Sequence, residues 1–188
     1  MVILAFDTSG PHCAVALLWP GGQMARSEPM AKGQAEYLLP MIDRIMADAG
    51  FGWPDITALA VGTGPGNFTG IRIAVALARG LALGLGISAQ GVTGFDARAH
   101  GHQGDFWVTI PAPRDQTYAQ KFGRDPQAAA IYGGGWDATL LPDILPDELA
   151  LAIARYALQT PATARPAPFY LRAADALPSS DPPPVILP

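Results

Sequence analysis

The order of apolar and polar residues divides the first hundred positions into short strands and two longer helical stretches. "VILAFDTS" and "HCAVALLWP" are apolar, β-rich runs separated by Gly10-Pro11, a pattern that predicts a hairpin. "QMARSEPM", after the Gly21-Gly22 turn, supplies a third antiparallel strand. From 35 to 49 the apolar residues Ala35, Leu38, Leu39, Ile42, Ile45, Met46 and Ala49 recur at helical spacing. Gly50 is placed to end that helix, and Pro40 is expected to shorten or kink its first turn. "ITALAVGTG" (56–64) reads as a buried strand, 69–85 as a second helix, "ISAQGVT" as a strand and "GFDARAHG" as a short helix.

Beyond that point the pattern is less regular. "DFWVTIPAPRDQTYAQKFGRD" alternates around Pro113-Arg114-Asp115 and predicts another hairpin. "LPDELALAIARYALQT" (145–160) is an amphipathic helix with Pro146 and Asp147 suiting its first turn. The proline-dense end, from "PATARPAPFYLR" onward, predicts an extended, surface-lying tail. Strands and helices in this order predict an α/β protein with a degraded internal repeat. The break at "GHQGD" divides it into residues 1–102 and a smaller 103–188 part.

Composition narrows the function. In 188 residues, 49% are hydrophobic and 15% charged, enough for a real core. The net charge of −4 and scattered basic residues argue against tight unaided binding to nucleic acid, which needs a basic footprint. A lone cysteine, Cys13, can form neither an internal disulfide nor a cysteine-based metal site, which suits a reducing cytoplasm. "MVILAFDTSG" has no basic start and meets Asp7 early, so it reads as a strand and not a signal peptide. The apolar stretch 73–87 is interrupted by Arg79 and is expected to be too short for a bilayer.

Two features could carry chemistry. Gly62-Thr63-Gly64-Pro65-Gly66 joins a strand to a helix but lacks the Gly-Lys-Ser/Thr of a phosphate loop, and Asn67 breaks the dinucleotide fingerprint. It is either an anion cradle at a helix start or a sharp turn built for close packing. Asp7-Thr8-Ser9 could hold a metal–phosphate unit or form an ordinary Asx turn. His12, His100 and His102 lack partners at metal-ligand spacing, and no G-x-S-x-G elbow exists, so no catalyst is apparent. The helix from 69 is the more telling element. Ile71, Ile73, Val75, Leu77, Leu81, Leu83 and Leu85 leave little polar face, and Ala76, Gly80 and Gly84 are spaced four apart. Such a helix is buried within its own domain or is covered by a partner helix.

"ILAFDTSGPHCAVALL", "GQAEYLLPMIDRIMADAG", "ITALAVGTGPGNFTGIRIAVALARGLALGLGISAQGVTGFDA" and the late "APFYLRAADA" together resemble the TsaB (YeaZ) family. The resemblance covers nearly all of 2–99 plus Tyr170-Leu171-Arg172, and the ordered set Gly62-x-Gly64-Pro65-Gly66-x-Phe68-Thr69-Gly70-x-Arg72 makes it specific. It implies an actin-like (ribonuclease H-like) fold in two lobes. It further implies a non-catalytic, cytoplasmic accessory subunit in N6-threonylcarbamoyladenosine modification of tRNA, without a cofactor of its own. The implied partners are the catalytic paralogue TsaD and the ATPase TsaE, with tRNA held indirectly and self-pairing when the chain is alone. Pairing would run through the two helices, with Leu38, Leu39, Ile42, Ile45, Arg72, Val75, Ala76 and Arg79 as expected interface residues. Asp7, Thr8, Gly62, Gly64 and Gly66 would be a vestigial phosphate loop. The paralogue's His-x-x-x-His metal pair falls on Gly94 and Arg98, so no metal is expected. Pro111 stands where the family usually has an acid, and the second lobe is short. A competing reading is an actin-like ATP-dependent phosphotransferase built on Asp7 and the 62–66 loop. A metallopeptidase ranks last for want of ligands.

Overall fold

The computed structural model describes residues 1–160 and 164–172. Three strands open the chain: β1 (Ile3–Asp7), β2 (His12–Trp19) and β3 (Gly22–Pro29) form an antiparallel meander. Helix α1 (Gln34–Ala49) then crosses to β4 (Ala58–Gly62), and α2 (Phe68–Leu85) crosses to β5 (Ser88–Val92). Both β4 and β5 lie parallel to β1, giving a five-stranded sheet of order β3-β2-β1-β4-β5. This is the expected actin-like, ribonuclease H-like arrangement.

Strand residues point alternately to the two sheet faces, and the two sets differ in size. Leu4, Phe6, Val15, Leu17, Leu59 and Val61 point to one side and pack beneath α1 and α2. Ala5, Ala14, Ala16 and Ala60 point to the other, where their small side chains admit Leu149, Ala150, Ile153 and Ala154 of α4 (Pro146–Gln159). The boundary at 102/103 assigned α4 to the second part by sequence, yet its apolar stripe is spent on the first sheet. α1 runs through Pro40 unbroken, and Gly50, at φ +77°, ends it.

After α3 (Gly94–Ala99), strands β6 (Phe106–Ala112) and β7 (Gln116–Phe122) form the expected hairpin about 113–115. Sequence pattern missed β8 (Gln127–Tyr132) and β9 (Thr139–Leu140), which complete a second sheet of order β8-β7-β6-β9. Phe95, Phe106, Val108, Ile110 and Tyr118 form a separate core between that sheet and α3, joined by Phe169 and Leu171. Residues 164–170 carry no helix or strand, and the rest of the proline-rich tail lies outside the described residues.

Candidate functional site

The turn after β1 and the loop before α2 are pressed together. Asp7 is 1% exposed, and its Oδ1 accepts from Ser9 N at 3.0 Å and Ser9 Oγ at 2.9 Å. His12 Nε2 lies 3.0 Å from the same oxygen. This is the Asx turn, with the imidazole closing it. A Cβ on Gly62 would collide with Asp7 Oδ2, one on Gly66 with Ser9 O, and one on Gly70 with Thr8 O. Thr8 Oγ1 donates to Gly70 O at 2.6 Å, and Asn67 N donates to Ser9 O at 2.6 Å. The glycines therefore let the hairpin turn lie directly on the loop and on the first turn of α2. Cys13, on β2, lies 3.6 Å from Met30 Sδ, and burial, aided by the Asp7 charge, pushes its thiol up to about 11.

Thr63 N is taken by Val92 O, Asn67 N by Ser9 O and Gly70 N by the capping Asn67 Oδ1. The crevice between the loop and the β6–β7 hairpin is filled by 169–172. Phe169 N donates to Thr63 O at 2.8 Å, and a Cβ on Gly64 would come within 3.0 Å of Phe169 O. About 80 Å³ remains there, between Pro65, Gly66, Pro113, Tyr118 and Phe169. Small-molecule pockets start at roughly 300 Å³.

Gly94 and Arg98 lie one turn apart on α3, the spacing a helical metal pair uses. Arg98 Nη1 folds back to donate to Gly94 O at 3.2 Å, and its Nη2 meets Asp143 Oδ1 at 3.2 Å. A guanidinium placed there repels a cation. His100 and His102 stand edge-on to Tyr156 and Phe106 at 5.7 and 5.8 Å between ring centres. Among the described residues no three His, Cys, Asp or Glu side chains gather as a metal site would require.

The expected interface residues divide into two groups. Leu38, Ile42 and Ile45 of α1 and Val75 of α2 are buried within the chain itself. The reason is geometric: each helix turns its most regular apolar line to the sheet. Leu39, Arg72, Ala76 and Arg79 are exposed. Ile71, Ala74 and Ala78 face β4 and β5, while Arg72, Ala76, Arg79 and Leu83 form one outward line. Leu83 is 86% exposed, the most exposed large hydrophobic side chain among the described residues. The helix has 18 residues of mean hydropathy 1.5, long and apolar enough to cross a membrane by length and composition alone, yet only 28% of it is buried. That corrects the expectation that the stretch is too short. Sequence reasoning did not count Leu83 among the expected interface residues. The signal was present, since Leu83 lies seven positions after Ala76 and so on the same side of the helix. An open cavity of about 650 Å³ adjoins the line's far end, bordered by Arg79, Leu83, Ile87, Ser88, Arg165 and Pro166.

A family model for tRNA N6-adenosine threonylcarbamoyltransferase (TsaD) matches residues 28–129. The chain is similar to the tRNA threonylcarbamoyladenosine biosynthesis protein TsaB of Haemophilus influenzae, 35% identical over 130 residues, covering 66% of this chain and 55% of that protein. It is 34% identical over 154 residues to TsaB of Escherichia coli, covering 79% of this chain and 66% of that one. The chain thus spans little more than half to two thirds of these relatives' lengths. Among solved structures, it superposes on a Pseudomonas aeruginosa protein described as similar to peptidase YEAZ, with a TM-score of 0.75 and 26% identity over 91% of this chain and 99% of that one. YeaZ from Pseudomonas aeruginosa superposes with a TM-score of 0.67 and 27% identity over 84% of this chain and 92% of that one.

Proposed function

The chain belongs to the TsaB (YeaZ) family, and from that premise we propose that it is a non-catalytic accessory subunit in N6-threonylcarbamoyladenosine modification of tRNA, holding a TsaD paralogue in a competent arrangement. The observation that carries this reading is the outer line of α2, where Leu83 is 86% exposed beside Ala76 and Gly80. Small residues let a second helix approach, and burying the leucine supplies the driving force. A standard interface of roughly 1,600 Å² is expected, with a TsaE-type ATPase joining the pair in the cytoplasm. tRNA is held mainly by the partner, which agrees with the net charge of −4.

Co-purification with the organism's TsaD paralogue tests the face directly. Ala76→Arg places a long charged side chain in the middle of the line and is expected to abolish co-elution and to lower tRNA modification in a strain that depends on this chain. Unchanged co-elution, or modification that persists in a strain depleted of the chain, would sink the proposal. The phosphotransferase reading needs the 169–172 segment to leave the crevice. ATP turnover by the chain alone, lost on Asp7→Ala, would favour that reading instead.

A further inference from the structure

Residues 164–172 form no helix or strand, yet they run along both sheets. Pro166 is buried against Gly91 of the edge strand β5, where a built Cβ would come within 3.3 Å of the proline Cα and 2.8 Å of Thr63 Cγ2. Gly91 does not have a positive φ, so its missing side chain serves this close approach and not a turn. Three residues on, Phe169 N donates at 2.8 Å to Thr63 O, the carbonyl just past the end of β4. Pro166 and the Phe169 backbone are therefore fastened to the first sheet.

The side chains of 169–171 then alternate. Phe169 and Leu171 pack with the core of the second sheet, among Phe106, Val108, Ile110 and Tyr118. Tyr170, between them, stacks on Phe68 of α2, with ring centres 4.7 Å apart and planes at 28°. Its hydroxyl accepts from Arg72 Nε at 3.1 Å, one turn further along the same helix. Extended backbone points successive side chains opposite ways, so one short strip buries one edge in each half of the molecule. The two sheets already meet at α3, where Ala97 joins the alanine-face core and Phe95 the second core. A single joint can serve as a hinge, whereas a second attachment, at the first turns of α2, removes that freedom.

We infer that residues 166–171 are a tie that locks the second sheet against the first in one arrangement, with Tyr170 fastening it to α2. The inference concerns the chain alone and is independent of the docking reading above. The order of the chain supports it. The chain passes to the second sheet through α3, and α4 brings it back onto the alanine face of the first. The strip then meets the second core again, in the crevice between Pro65 and Gly66 on one side and Pro113 and Tyr118 on the other. Released from α2, the second sheet is free to turn about α3.

Pulsed electron–electron double resonance on the full chain tests this. Spin labels are placed at Lys32→Cys, before α1, and Asp125→Cys, between β7 and β8, in a Cys13→Ala background; both positions are exposed. Without further change, one narrow distance distribution is expected. Tyr170→Ala removes the stack and the acceptor for Arg72 but leaves Phe169 and Leu171 in the second core, and it should broaden or split the distribution. Phe68→Ala should do the same from the helix side. Tyr170 is 38% exposed, so its loss leaves the fold in place. The thermal midpoint of the same samples separates a tie from ordinary packing, which would lower the midpoint and leave the distance unchanged. A distribution that stays narrow in either alanine variant, or one that is already broad with Tyr170 and Phe68 in place, overturns the inference.

Discussion

At the scale of single residues, the 62–70 segment shows what its glycines do. Gly62 faces a carboxylate that cannot retreat, because Asp7 Oδ1 is fixed by Ser9 and His12. Gly62→Ala is therefore expected to cost about 3 kcal/mol, read as a lowered denaturant midpoint. Gly80 has nothing within 4 Å of a built Cβ, so Gly80→Ala should instead stabilise by about 1 kcal/mol through helix propensity. Cys13 offers a pH-dependent test. Its thiol is raised from the ordinary 9.0 to about 11, so the folded protein holds the proton longer than the unfolded chain. The stability this contributes is complete below about pH 9 and is lost as pH rises toward 11. The wild type should lose more stability than Cys13→Ala across that window, and a thiol reagent at pH 8 should label the native protein only after denaturation. In sequence, the Asp7 turn was open between a ligand site and an Asx turn, because Asp and Ser serve both. In the structure the Asp7 carboxylate accepts from Ser9, meets His12 and faces Gly62.

At the scale of elements, helical periodicity located α1 and α2 but not the side each turns outward. Leu38 and Leu39 are adjacent and equally apolar, yet Leu38 is fully buried and Leu39 is 39% exposed. The sheet decides between them, and the sheet is assembled from β1, β2 and β4, which are distant in sequence. Ile42→Ala is expected to cost 2–5 kcal/mol, and Leu39→Ala less than about 1 kcal/mol, both by chemical denaturation. Strand β8 escaped detection for a local reason. "QAAAIY" has three alanines where alternation would show, and its pairing with β7 supplies the order that its own pattern lacks. The outward line of α2 was half legible, since Arg72, Ala76 and Arg79 were expected on a surface while Val75 was not expected in the core.

At the scale of the whole molecule, the strands and helices of the first hundred residues were readable because hairpins and crossovers are local. The position of α4 was not, because an amphipathic stripe says only that something apolar lies opposite it. That something is the alanine face of β1, β2 and β4, so a fragment of residues 1–102 lacks its own cover. Expressed alone, it should be insoluble or bind a hydrophobic dye, whereas the full chain should not. Fusing residues 143–160 to it should restore a cooperative thermal transition. The same arrangement sets a schedule for synthesis. The ribosome finishes β5 and α3 by Ala99, but must add about 60 more residues before α4 is complete at Gln159. At 5–20 residues per second this takes roughly 3–12 s. For that interval the nascent sheet presents a bare apolar face to the cell, and whatever chaperone meets it there competes with the last helix for the same alanines.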